Sequence, residues 1–154
     1  MSGAVDRLAA LGLTLAPVTA PVAAYVPALR TGPYVYVSGQ LPVVDGKLAA
    51  VGKVGAEVSA EDAAGMARTC ALNALAAAAS AAGGLEAIRR IVKVTGFVAS
   101  APGFVGQPQV INGASELLIE VFGEEGKHAR SAVGVAELPL NAPVEVELIA
   151  EVRD

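Results

Sequence analysis

The alternation that runs from Val144 to Val152 constrains the fold of this chain more than any other feature. Val144, Val146, Leu148, Ala150 and Val152 alternate there with Glu145, Glu147, Ile149 and Glu151. A period of two sends successive side chains to opposite faces of a strand. One face must therefore pack on apolar elements, while the other carries three carboxylates. A strand of this kind belongs to a sheet covered on one side, which is the arrangement of an α+β domain. A solvated sheet face explains the acidic positions without invoking a site. Ile149 in their midst suggests partial cover, which a second subunit could supply.

The covering elements are also legible. Ser59 is a helix N-cap, with Glu61 and Asp62 in the first turn, and the helix runs to about Ala82 before Gly83-Gly84 stops it. Gln107–Phe122 reads as a second helix, with Val110, Leu117, Leu118, Val121 and Phe122 at helical spacing. Thr31-Gly32-Pro33 is a turn before the β-rich run Tyr34–Ser38, and Asp45-Gly46 marks a hairpin between Val43-Val44 and Lys47-Leu48. After a lead-in over Leu85–Arg90, Ile91–Ser100 is a strand with Val92, Val94 and Val98 on one face. Gly96 interrupts that face as a bulge or a close approach. Ser131–Ala136 is a further strand, joined to the last by Leu138–Pro143. Residues 1–13 form a short helix or arm that Leu8, Leu11 and Leu13 could hold to the body. Pro17, Pro21 and Pro27 keep the following segment extended and on an edge. The order predicts one sheet with both helices on one face.

A chain of 154 residues is one domain. Its 54% hydrophobic and 17% charged composition leaves apolar surface that association would bury, so a homo-oligomer is expected. The net charge of −4, with 11 basic residues and Arg89-Arg90 as the only close pair, excludes a dedicated nucleic-acid binder. Cys70, the lone cysteine, has no internal disulfide partner and reads as a packed thiol, which fits a cytoplasmic protein. No signal peptide is evident, and Ala71–Ala82 is too short to span a bilayer, so no membrane role is expected.

The segment from His128 to Glu151 is the candidate ligand site. Arg130 suits an anionic ligand, because a guanidinium offers a carboxylate two parallel hydrogen bonds. A surface ion pair accounts for the same residue. His128 is the sole histidine, and without a second His or a Cys cluster a metal site is not expected. A loop histidine beside an oligomer interface is the simpler reading. Gly103 and Gly106 are too sparse for a phosphate-binding loop, and no Gly-x-Ser-x-Gly elbow is present.

Ala129-Arg130-Ser131-Ala132-Val133-Gly134-Val135-Ala136-Glu137-Leu138-Pro139, followed by Val144-Glu145-Val146-Glu147, resembles the RidA (YjgF) family of enamine/imine deaminases. Ser38-Gly39-Gln40-Leu41-Pro42 is similar to that family's Ser-Gly-Gln-x-Pro, Tyr25 stands at the family's distance before it, and Asn73 and Asn112 fit. The resemblance covers residues 15–154, with 1–14 as an extension typical of a longer branch. It implies a chorismate-mutase-like α+β fold, with one mixed sheet and two helices on one face, assembled as a homotrimer with clefts between subunits. It further implies that Arg130 grips the carboxylate of a 2-imino acid, Glu145 positions or activates water, and Tyr25 closes the cleft. Backbone near Gly39 and Ala132, with Asn112, completes the pocket. Ala132 stands where the family often has cysteine, which matters little where backbone is used.

That chemistry is coherent. With the carboxylate fixed by Arg130, the C=N carbon lies at a defined point. Glu145 can orient water and take its proton, and the carbinolamine collapses to a 2-oxo acid and ammonia without a metal or organic cofactor. The alternative is a non-catalytic trimeric module that binds a small carboxylate metabolite. It needs Arg130 but no water-activating group.

Overall fold

The computed structural model describes residues 2–18 and 22–154, so the expectation for Pro21 lies outside the described residues. In chain order the elements are α1 (Ala4–Ala10), β1 (Ala28–Thr31), β2 (Tyr34–Gln40), β3 (Val43–Val44), β4 (Lys47–Leu48), α2 (Ala60–Ala82), β5 (Ile88–Ala99), α3 (Gln107–Phe122), β6 (Ala129–Val135) and β7 (Val144–Val152).

Five strands form one mixed sheet in the order β1-β2-β7-β5-β6. Only β5 and β6 are parallel neighbours. Parallel neighbours need a crossover, and α3 supplies it. Helix α2 likewise carries the chain from β2 to β5, leaving a gap that β7 fills between them. Both helices lie on one face, as the element order predicts, and β7 shows the expected alternation of buried and half-buried residues.

Local chemistry sets the helix ends. The Ser59 side chain accepts a hydrogen bond from the Asp62 amide at 3.1 Å. Gly83 closes α2 at φ 93°, a left-handed conformation that costs glycine little. The buried face of α2 is mostly alanine, which lets α3 approach closely. At Gly113 an added Cβ would overlap the carbonyl of Ala64, so the two helices meet there backbone to backbone. Gly113→Ala should therefore cost about 2 kcal/mol or more through overpacking, since backbone cannot swing aside. Thermal unfolding should show a Tm lower by roughly 4–8 °C; an unchanged Tm would mean that the helices can separate freely.

Several expectations need correction. Strand β5 begins at Ile88, inside the supposed lead-in, and its register against β7 shifts between Ile91 and Lys93. That irregularity turns Val92 off the core face, which Ile88, Ile91, Val94 and Val98 form instead. The ladder is continuous at Gly96, so no bulge lies there; the glycine is a close approach, where a Cβ would run into the Ile111 side chain. Strand β6 begins at Ala129, which puts Arg130 within the strand rather than before it. The segment after Pro27 is extended and on an edge as expected, and it pairs with β2 as a further strand, β1. At the N-terminus Ala4 and Leu8 are buried and Leu13 packs partly on the core, whereas Leu11 is exposed. The Glu86 carboxylate accepts from the Val5 amide at 3.0 Å, which ties the start of α1 to the body. The Asp45-Gly46 hairpin is a separate two-stranded ribbon, held by Asn73, whose Nδ2 donates to the carbonyls of Leu41 and Val43 at 3.0 Å each.

Candidate functional site

The candidate residues fall into two groups. The first is built on β6, which forms one edge of the sheet, and on α3 behind it. The side chain of Arg130 points to the helical face. Its Nη1 donates to Asn112 Oδ1 at 2.8 Å and to Ser115 Oγ at 3.2 Å, and its Nη2 reaches the Pro108 carbonyl at 3.4 Å. All three acceptors are neutral. Among the described residues, no carboxylate lies within ion-pair distance of Arg130. A guanidinium has five N–H donors, so Nε–H and one Nη2–H remain for a ligand. The group is thus a held but uncompensated cation at a half-exposed position. Asn112, on the second turn of α3, acts as a buttress for Arg130. Ala132 follows on the same strand with its side chain against the core, so only its backbone is free for a ligand.

The second group lies on the other face. Glu145 pairs with Phe97, on the side of the sheet that no helix covers. Its carboxylate lies over Gly39, where an added Cβ would stand 2.5 Å from Oε1. Any side chain there would have to displace the Glu145 carboxylate from this position. Burial raises the Glu145 pKa above the ordinary glutamate value, and the neighbouring Glu147 adds to the effect. Beside this group runs the segment of Tyr25, because the Ser38 hydroxyl donates to the Val26 carbonyl at 2.6 Å. The Tyr25 side chain is 57% exposed. The open face continues past Glu145 as a shallow depression lined by Tyr36, Ser38, Lys93, Thr95, Glu147 and Ile149.

Within one chain the groups do not meet. Arg130 is level with Val94, and Glu145 is level with Phe97 and Val133. They stand two strands apart, or about 10 Å across the sheet, and three residues apart along it, or about another 10 Å. They also project from opposite faces. No side-chain rotation in a single copy brings both to one small molecule.

Sequence reasoning missed Ser115, which bridges Arg130 and His128. The available signal was Asn112 and Ser115 at i, i+3 on one helix, a spacing that puts two polar groups on the same face. His128 lies in the loop before β6, as expected, and both its ring nitrogens are engaged. Its Nε2 is 2.9 Å from Ser115 Oγ and its Nδ1 is 2.6 Å from the Gly126 carbonyl. Among the described residues, no group of three His, Cys, Asp or Glu side chains is placed to hold a metal ion.

Residues 5–152 match the family model described as "YjgF/chorismate_mutase-like, putative endoribonuclease". Protein TCP17 of Trypanosoma cruzi is 43% identical over 149 residues, covering 96% of this chain and 93% of that protein. The crystal structure of Atu1372 from Agrobacterium tumefaciens superposes with a TM-score of 0.89 at 49% identity, covering 98% of this chain and 94% of that one. That of E. coli TdcF with bound serine superposes with a TM-score of 0.61 at 30% identity, covering 90% of this chain and 94% of that one.

Proposed function

This chain belongs to the YjgF/RidA family of chorismate-mutase-like proteins, and from that premise we propose that it hydrolyses reactive 2-imino acids and their enamine tautomers to 2-oxo acids and ammonia. The reaction takes place in clefts between copies of a homotrimer. Arg130 carries this reading, as a clamped cation with neutral partners and two free donors for a carboxylate. The serine held by E. coli TdcF is a small carboxylate of the same kind.

The steps follow from the two groups. A 2-imino acid docks its carboxylate on Arg130 of one copy. Glu145 of the neighbouring copy orients a water and takes its proton as the oxygen bonds to the imine carbon. With the imine entering as its iminium form, the C=N π electrons move to nitrogen, giving a neutral carbinolamine. Glu145 then returns the proton to the amino group, and as the hydroxyl gives its own proton to the Glu145 carboxylate the C–N bond breaks, releasing ammonia and the 2-oxo acid. A raised pKa makes Glu145 a better acceptor for the water proton near neutral pH. The rate should therefore rise with pH through a pKa above the ordinary glutamate value and then level off. A rate that falls over that range would exclude Glu145 as the base.

RNA cleavage finds little support in the charge pattern. Lys53, Arg68, Arg89, Arg90 and Lys127 are each paired with a glutamate, which leaves no continuous basic stripe among them. Among the described residues, no helix is long and apolar enough to cross a membrane. The buried, unpaired thiol of Cys70 suits the reducing cytoplasm, where pyridoxal-phosphate dehydratases release imines.

The direct test supplies such imines. A threonine or serine dehydratase generates the intermediate, and 2-oxo acid or ammonia release is followed with and without this protein. Faster release is expected. No acceleration across several amino-acid precursors would exclude the deaminase and leave the carboxylate-binding reading.

A further inference from the structure

We propose that Ser115 and His128 form a directional hydrogen-bond relay that positions Arg130 for its carboxylate ligand, with His128 as the fixed end of the relay. The inference rests on the reading of Arg130 as the carboxylate anchor, and names the residues that hold it in place.

The direction of each proton follows from donor and acceptor chemistry. The Gly126 carbonyl can only accept, so His128 Nδ1, 2.6 Å away, carries the ring proton. On a neutral ring Nε2 is then an acceptor, and Ser115 Oγ, 2.9 Å away, must donate to it. The Ser115 hydroxyl hydrogen is thereby committed to His128. Its lone pair is left for Arg130 Nη1, which can only donate and lies 3.2 Å away. One proton arrangement satisfies the whole chain: Arg130 to Ser115, Ser115 to His128, His128 to Gly126. With Asn112 holding the second Nη1 proton, that end of the guanidinium is fixed, and its free donors face a defined direction.

The electrostatics support the neutral ring. Burial lowers the His128 pKa, and the Arg130 charge lowers it further, against the opposing pull of the Gly126 carbonyl. The other charges on the packed elements are largely committed. Glu124 pairs with Lys127, Glu125 with Arg90, and Glu120 with Arg68, while Glu116 is exposed on α3 and Lys93 lies on β5. Protonation of His128 would make Nε2 a donor, turn the Ser115 hydrogen away, and set a second cation beside Arg130.

The chain has one histidine, so the relay can be read directly in the whole protein. Long-range 1H–15N spectra at neutral pH should show the Nδ1–H tautomer. Calorimetry with 2-oxobutyrate as the probe should give a Kd about 10-fold weaker for His128→Leu, or roughly 1.4 kcal/mol. Recovery to within about 3-fold is expected for His128→Gln, whose amide can again accept from Ser115. An Nε2–H tautomer, an unchanged Kd in His128→Leu, no recovery in His128→Gln, or no 2-oxobutyrate binding by the wild type would each overturn the relay. Failure of the deaminase reading would look different: no acceleration in the dehydratase assay, with the tautomer and the Kd series as expected.

Discussion

Arg130→Ala should lower kcat/KM for imine hydrolysis by about 10²–10⁴-fold, the loss of two charge-assisted hydrogen bonds at about 1.5–3 kcal/mol each. The fold should survive, because Arg130 lies on an edge strand and two of its three acceptors on α3, Asn112 and the Pro108 carbonyl, are exposed to water. Tm is thus expected to stay within a few degrees of wild type. Arg130→Lys provides the sharper comparison. Lysine keeps the charge but lacks the planar fork, so it should restore only part of the activity. Full activity in Arg130→Ala, measured in the dehydratase-coupled assay, would remove the anchor from the site.

Glu145→Gln should be nearly as damaging to turnover, by about 10²–10⁴-fold for a lost general base. Its effect on stability should run the other way. A carboxyl whose pKa is raised in the folded state favours folding when protonated and opposes it when ionised. The penalty appears as pH rises through the raised pKa of Glu145. Glutamine removes it, so Tm at pH 7 and above should hold or increase. Binding of 2-oxobutyrate should be largely kept, since the carboxylate contact belongs to Arg130. Loss of turnover with retained binding separates a deaminase from a passive carboxylate binder. A Glu145→Gln protein that still turns over at the wild-type rate would leave only the passive reading.

Much of this architecture is legible because it is written locally. The alternation over Val144–Val152, the Ser59 cap and the Gly83 stop each depend on a few consecutive residues. The span of α3 follows from its apolar spacing in the same way. Strand β1 is harder to see, because a short edge strand after Pro27 has little alternation to show. The Arg-Ser, Leu-Pro and Glu-x-Glu spacing marks Arg130 and Glu145 as candidates for one site, but does not record how far apart they lie in one copy. Their separation depends on β5 lying between β6 and β7, a consequence of the crossover order that no local pattern records. The relay through Ser115 was hidden for a related reason, since the rotation of α3 over β6 decides which helix side chains reach Arg130.

The opposite-face placement of Arg130 and Glu145 leads to a direct test by subunit mixing. Arg130→Ala and Glu145→Gln chains, each inactive alone, would be co-expressed and purified as mixed trimers. If each cleft takes its arginine from one copy and its glutamate from the next, random mixing restores about one cleft in four. Activity near a quarter of wild type is therefore the expected result. Mixed trimers as inactive as their parents would show that both residues act within one chain, and would contradict a site built between copies.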